Sequence, residues 1–381
     1  MKTKTLGWLL AVGIVGGSFA ACSQPQADCQ VALASTTYAY VVKYTVKNSP
    51  ACTDKVKIGE LIGMESYHPP SDDNTTYNPD ITTVALQSDD LGYYSGNYAS
   101  VGFGDPCAAV GRCEKDADCF DDALKCTTGF CVSKSCSASE PHQLWGLGKF
   151  ETTSPSADNF CSIKTTSAAQ QDLVGGEDTL GAGIPDTQAC TTDADCQIPA
   201  DPEDPESMVD PASGSVCDTT AGTCKVGCRA TDENGDPAPN SCVAPFSCDS
   251  ADNTVGKCVL APAKYKYEWK NLKFYVTAAA PGTQFTGDLT YTEDGCTIEY
   301  SAIGMWPAVY CINEKGEADD TLCSPCPDSE AGRVYGSGIN PDFPVKCDPD
   351  MGYCTLRNGK DLTKDADSIP QFLPEGINCN E

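Results

Sequence analysis

Few residues of this chain are placed to do chemistry, and most of those are cysteines. Cys323-Ser324-Pro325-Cys326 has the spacing of a redox pair, whose first thiol would be activated at the start of a helix. Pro327 and Asp328 follow it, and no strand–helix–strand pattern lies nearby, so the spacing reads as part of a disulfide framework. Two histidines occur, His68 in Tyr67-His68-Pro69-Pro70 and His142 after Pro141. No G-x-S-x-G elbow surrounds any serine, and no phosphate loop or dinucleotide fingerprint is present. The sequence therefore predicts a protein that is not an enzyme. A secreted redox or hydrolytic enzyme is the alternative.

Carboxylates are the other candidates. Asp116, Asp118, Asp121 and Asp122 crowd between cysteines, and Asp232, Asn234 and Asp236 stand at the odd positions used by calcium loops. Calcium takes six to eight oxygens, and an EF-hand loop needs Gly at position six and Glu at position twelve. Here Gly235 falls at position four, Pro237 follows Asp236, and Val243 takes position twelve. Asp ahead of a cysteine also caps a turn by accepting from backbone amides. That structural role is the expectation. Calcium is the one cofactor left open, and a calcium-dependent structural module is a second alternative.

The chain has 25 cysteines, gathered largely in two blocks. The first holds Cys107, Cys113, Cys119, Cys126, Cys131 and Cys136, and the second Cys190, Cys196, Cys217, Cys224, Cys228, Cys242, Cys248 and Cys258. Aliphatic residues nearly vanish in such segments, which must be held covalently. Cysteine this frequent implies an oxidising compartment and disulfides, with the pairing left open by spacing. The blocks share a pattern: C-EKDAD-C-FDDALK-C-TTGF-C-VSKS-C from Cys113 to Cys136, and C-TTDAD-C, a long insertion, then C-DTTAGT-C-KVG-C from Cys190 to Cys228, with Cys242, Cys248 and Cys258 extending the second block. Asp116-Ala117-Asp118-Cys119 matches Asp193-Ala194-Asp195-Cys196 residue for residue. This pattern resembles the small disulfide knots of dickkopf-like and whey-acidic-like modules, and the repeats of cysteine-rich bacterial surface lipoproteins. The resemblance implies protein binding or rigid spacing and carries no activity. Inside the second block, Asp201 to Pro211 is an acidic run interrupted by prolines, expected as an extended or mobile loop.

The N-terminus sets the address. Lys2 and Lys4 precede an uncharged run from Leu6 to Phe19, about the length of a secretory core and shorter than the roughly 20 residues that span a bilayer. Phe19-Ala20-Ala21-Cys22 is similar to the lipobox of bacterial lipoproteins, although that family usually has Leu where Phe19 stands. The resemblance implies lipidation of Cys22, a membrane anchor there, and, from Ser23, an outer-membrane address. Lipid on Cys22 would leave an even number of cysteines to pair. Cleavage after Ala20, giving a secreted protein, is the alternative. The net charge of −29 repels phosphate backbones, so nucleic acid is excluded and a cationic surface or protein partner is compatible.

Period-two patterns supply the scaffold. Tyr38, Tyr40, Val42, Tyr44 and Val46 share one face of a strand. Further strands are expected at 56–64, 81–86, 144–150, 160–163 and 353–356, and a short helix at 168–173. Tyr265, Tyr267 and Trp269 alternate inward, then Leu272, Phe274 and Val276 continue out of phase, so a bulge is expected near Asn271. Asp294-Gly295 between two alternating runs predicts a hairpin, with Leu289, Tyr291, Ile298 and Tyr300 on its buried face. The fold class is mainly β: a β-sandwich core assembled from early, middle and late strands, with disulfide-rich insertions of little secondary structure. The implied divisions are a signal peptide (1–21), a tether (22–35), β-domain parts at 36–104, 141–185 and 261–381, and cysteine-rich insertions at 105–140 and 186–260. The last β part includes a disulfide-rich C-terminal wrap.

Overall fold

The computed structural model describes residues 27–34, 39–48, 50–71, 76–92, 104–177, 188–196, 215–229, 242, 246–250, 255–278, 281–328, 335–341 and 343–356. Nine strands form one antiparallel sheet: β1 (Tyr40–Val46), β2 (Gly59–Tyr67), β3 (Thr83–Ser88), β4 (Gly146–Lys149), β5 (Phe160–Thr165), β6 (Ala169–Leu173), β7 (Ala263–Val276), β8 (Pro281–Glu293) and β9 (Cys296–Met305). The order is β4-β3-β2-β1-β9-β8-β7-β5, with β6 also on β7. β5 lies along Lys270–Tyr275 and β6 along Ala263–Tyr267, so the two together run beside one long strand.

The ends of this sheet meet. Gly148 bridges Thr166, the Glu151 amide donates to the Ser162 carbonyl at 2.9 Å, and the Ser167 amide donates to the Leu147 carbonyl at 2.8 Å. The sheet is thus rolled into an up-and-down barrel in which neighbours in sequence lie side by side, except that β5 and β6 follow one another along β7 as the two halves of one interrupted strand. The early, middle and late strands do build one core, as expected. The two inner faces of the expected sandwich belong here to a single sheet closed on itself.

Alternation explains the core. Tyr40, Val42, Tyr44, Ile62, Met64, Val84, Leu86, Ile163, Tyr267, Trp269, Phe274, Phe285, Tyr291 and Tyr300 are buried in one cluster. Rings fill the interior in contact, with Phe274 stacked on Phe285 at 5.3 Å and Tyr44 against Tyr300 at 5.0 Å. Glycines accommodate them: a Cβ on Gly304 would lie 2.0 Å from the Phe285 ring. The bulge appears where expected, as a register shift between Lys270 and Lys273 with Asn271 at φ 52°. Asp294 and Gly295 both have positive φ, as a two-residue hairpin turn requires. The expected helix at 168–173 is instead strand β6. Ala169, Gln171 and Leu173 alternate inward, and the free edge of β7 pairs with their backbone.

The barrel has two mouths. β1, β3, β5 and β8 start at one, where residues 27–34 cross the opening. Cys29 there is bonded to Cys161, and the Tyr40 hydroxyl accepts from the Ala32 amide at 3.0 Å and donates to the Gly282 carbonyl at 2.6 Å. β3 and β6 end at the opposite mouth, and both cysteine-rich insertions leave and re-enter there. Cys52–Cys296 ties the β1–β2 connection to the β8–β9 hairpin at that mouth. The described residues of 306–328, 335–341 and 343–356 include a layer on the outer face of β1 and β9, burying Phe343, Val345 and Leu356 against Val41, Ile303 and Met305.

Gly304→Ala is expected to destabilise the barrel by about 1–3 kcal/mol through overpacking against Phe285. Urea unfolding followed by tryptophan fluorescence checks this, and adding Phe285→Leu should recover part of the loss.

Candidate functional site

The structure resolves the pairing of the cysteine blocks, and among the described residues the result is one unit in four copies. In each, the first cysteine bonds the third and the second bonds the fourth. The pairs are Cys113–Cys126 with Cys119–Cys131, Cys190–Cys217 with Cys196–Cys224, Cys228–Cys248 with Cys242–Cys258, and Cys311–Cys347 with Cys323–Cys354. In each, the third and fourth cysteines face one another across a small hairpin. Cys107–Cys136 closes the neck of the first insertion.

The repeated Asp has a definite role. Asp116 accepts from the Cys126 amide at 2.7 Å, Asp193 from the Cys217 amide at 2.8 Å, and Asp320 from the Cys347 amide at 2.7 Å. Each lies three residues before the second cysteine of its knot. Asp118 accepts from the amides of Glu114 and Lys115, and Asp121 from that of Ala123. Asp195 accepts from the amides and hydroxyls of Thr191 and Thr192, which hold its carboxyl down to about 2. Asp122 is exposed, and its backbone carbonyl accepts from Lys134. Among the described residues, groups of three or more potential metal-ligand side chains are sulfur sets, one in each knot, and those sulfurs are in disulfides. Asp232, Asn234, Asp236, the acidic run at 201–211 and Cys22 lie outside the described residues.

Sequence reading found two of the knots and missed the other two. The D-A-D-C match is confined to the first two, and the spacing between first and second cysteines lengthens in the others. A fainter signal runs through all four: Gly129-Phe130-Cys131, Gly222-Thr223-Cys224, Gly256-Lys257-Cys258 and Gly352-Tyr353-Cys354. The glycine turns the hairpin, at φ 89°, 67° and 73° for Gly129, Gly222 and Gly352.

The C-x-x-C spacing does not form a redox pair. Cys323 bonds Cys354, and Cys326 is disulfide-bonded elsewhere. His68 Nδ1 lies 2.9 Å from the Ile81 carbonyl, and its ring sits on Tyr77. His142 is buried with Nδ1 2.7 Å from Asp105 Oδ2. Asp105 also accepts from the amides of Cys107 at 2.7 Å and Asp172 at 2.8 Å. The pair therefore staples the first insertion to β6. The hydrogen bond to Asp105 raises the His142 pKa above 6.5 while burial opposes it.

At the same mouth the structure assembles a charged cluster that sequence reading did not foresee. Lys57 Nζ lies 2.7 Å from Glu60, 2.7 Å from Asp90 and 2.8 Å from the Tyr267 hydroxyl, with the rings of Tyr267 and Tyr291 at 5.3 and 5.1 Å. Glu60 also accepts from Ser88 at 2.5 Å and from Tyr44. Burial opposes the charge on Lys57, yet the two carboxylates outweigh it and its pKa stands above the usual lysine value. Burial beside Glu60 also keeps Tyr267 protonated. The cluster is a plug that satisfies its own charges under an aromatic lid.

A match to the MlpA family covers residues 38–205 and 200–307. The chain belongs to the MlpA family. The matched stretch starts just before β1 and ends just after β9, so the family unit is the barrel with its insertions, and the fourth knot lies beyond it. The overlap of its two parts falls between the second and third cysteines of the second knot. A Myxococcus xanthus protein described as "Putative lipoprotein MlpA" is 37% identical over 107 residues, which is 27% of this chain and 41% of that protein. This chain thus spans well under half the length of that relative. No solved structure matches the chain significantly.

Two outcomes test these contacts. The raised His142 pKa contributes stability fully below about 6.5, the unfolded value. That contribution is lost as pH rises through the folded value. Unfolding free energy should therefore fall with alkaline pH, with His142→Gln removing this component of the slope. Lys57→Met should cost about 3–5 kcal/mol by stranding Glu60, and Glu60→Gln in the same chain should restore much of it, read from denaturant midpoints.

Proposed function

We propose that this MlpA-family chain is a non-enzymatic exported lipoprotein, anchored through Cys22, that presents rigid disulfide knots for binding at the cell surface. The observation that carries this reading is the polarity of the barrel. Residues 27–34, the first described segment after Cys22 in the chain, cross one mouth, and both cysteine-rich insertions emerge at the other. The name of the Myxococcus relative and the lipobox-like Phe19-Ala20-Ala21-Cys22 support the anchor. Ser23 after the cysteine favours the outer membrane. The interior, crowded with aromatic rings, suits a support rather than a container.

Knots suit this task because each is stapled twice and needs no core of its own. Each bridge contributes on the order of 2–4 kcal/mol, which protects loops exposed to proteases. The acidic surface favours a cationic partner.

Mass analysis of the native protein, with a non-reducing peptide map, tests the anchor. The expected result is an acylated N-terminal Cys22, and Cys22→Ser should move the protein from the membrane fraction to the soluble one. A mature chain beginning at Ala21 without lipid would instead make this a secreted protein.

A further inference from the structure

The mouth nearest the proposed anchor carries apolar side chains that the barrel does not use. Leu33 is 69% exposed, Tyr77 63% and Tyr67 38%. Leu33 lies in the segment across the opening, next to Ala34, which bridges Met64. Tyr67 ends β2, and Tyr77 bridges Pro70 on the β2–β3 connection beyond the barrel wall. All three therefore belong to one rim.

The rim is held firmly. Cys29–Cys161 and the Ala34–Met64 hydrogen bonds, at 2.8 and 3.1 Å, fix the crossing segment. The Asn78 amide donates to the Pro69 carbonyl at 2.8 Å, fixing the extension that carries Tyr77. A preformed rim loses little conformational entropy on contact. Tyrosine, apolar in its ring and polar at its tip, suits the headgroup level of a bilayer.

The tether is short. Four residues separate Cys22 from Ala27, the first described residue, and the five Cα steps between them span at most about 18 Å when extended. An acyl chain on Cys22 therefore keeps this mouth at the bilayer surface. The charge around it selects the surface: Asp28, Glu65, Asp80, Glu151 and Asp158 are exposed there beside Lys149. Such a rim is repelled by anionic headgroups and tolerated by zwitterionic ones.

We infer that this mouth is a membrane-contact face, in which Leu33, Tyr67 and Tyr77 rest among the headgroups of a zwitterionic bilayer. The barrel then stands with both insertions pointing away. This rests on the anchoring of Cys22 proposed above.

The test uses the natively processed full chain in phosphatidylcholine vesicles containing lipids brominated near the headgroup. Tyr77→Trp is compared with Phe120→Trp, whose site is 79% exposed in the first knot, each after subtraction of wild-type emission. The added emission of Tyr77→Trp should be quenched and shifted to the blue, and that of Phe120→Trp should stay unquenched. Leu33→Trp is a second probe of the same rim and should behave as Tyr77→Trp does. Replacing part of the lipid with phosphatidylglycerol should weaken the quenching. Vesicle-bound protein with both rim probes unquenched, or with Phe120→Trp quenched instead, overturns the contact while leaving the anchor standing. Protein that fails to float with the vesicles removes the anchor and this inference together.

Discussion

Closure of the sheet between β4 and β5 is the constraint on which the rest of the structure depends. An open sheet with this much aromatic side chain on one face would need a second layer, and would offer long unpaired edges to other chains. Rolling the sheet on itself supplies both at once. The seam is short, and glycine makes it possible. A Cβ on Gly148 would lie 2.6 Å from Ile163, so only glycine lets the β4 backbone approach so closely. The bulge at Asn271 lies just past the point where the partner of β7 changes from β6, whose pairing ends at Tyr267, to β5, whose pairing starts at Lys270.

Once the barrel is closed, long connections cost it little. Both insertions begin and end at neighbouring positions on one mouth, so the strands that flank them are in place whatever the insertion does. The insertions fold on other terms. They have few aliphatic residues, and their order comes from paired disulfides and from aspartates that accept backbone amides. His142 and Asp105 tie the first of them back to β6. The C-terminal knot uses the same construction but lies against the outer wall, where Lys43 pairs with Asp348.

The two mouths are closed by different means. One is covered by residues 27–34 and held by the Cys29–Cys161 bridge. The other is plugged by Lys57 among Glu60, Asp90 and tyrosines, a cluster that tolerates burial because each charge has a partner. This asymmetry gives the barrel a direction.

Much of this was legible along the chain wherever the decisive interactions were local. Alternation revealed the strands and the buried faces of Tyr40, Val42, Tyr44, Leu289 and Tyr291. Asp294-Gly295 revealed a hairpin because its turn geometry is a property of those two residues. The repeated Asp-Ala-Asp-Cys revealed two knots, and cysteine frequency revealed a disulfide-stapled protein. Tertiary structure alone decided the rest. Residues 168–173 became a strand because β7 had an edge to fill. Cysteines paired according to which hairpin brought them together, and two further knots emerged although their spacings had drifted. Lys57, Glu60, Asp90 and Tyr267 became one cluster only when closure brought distant strands to the same mouth. Local rules specify what a segment can form, whereas closure and disulfide pairing depend on which distant segments meet.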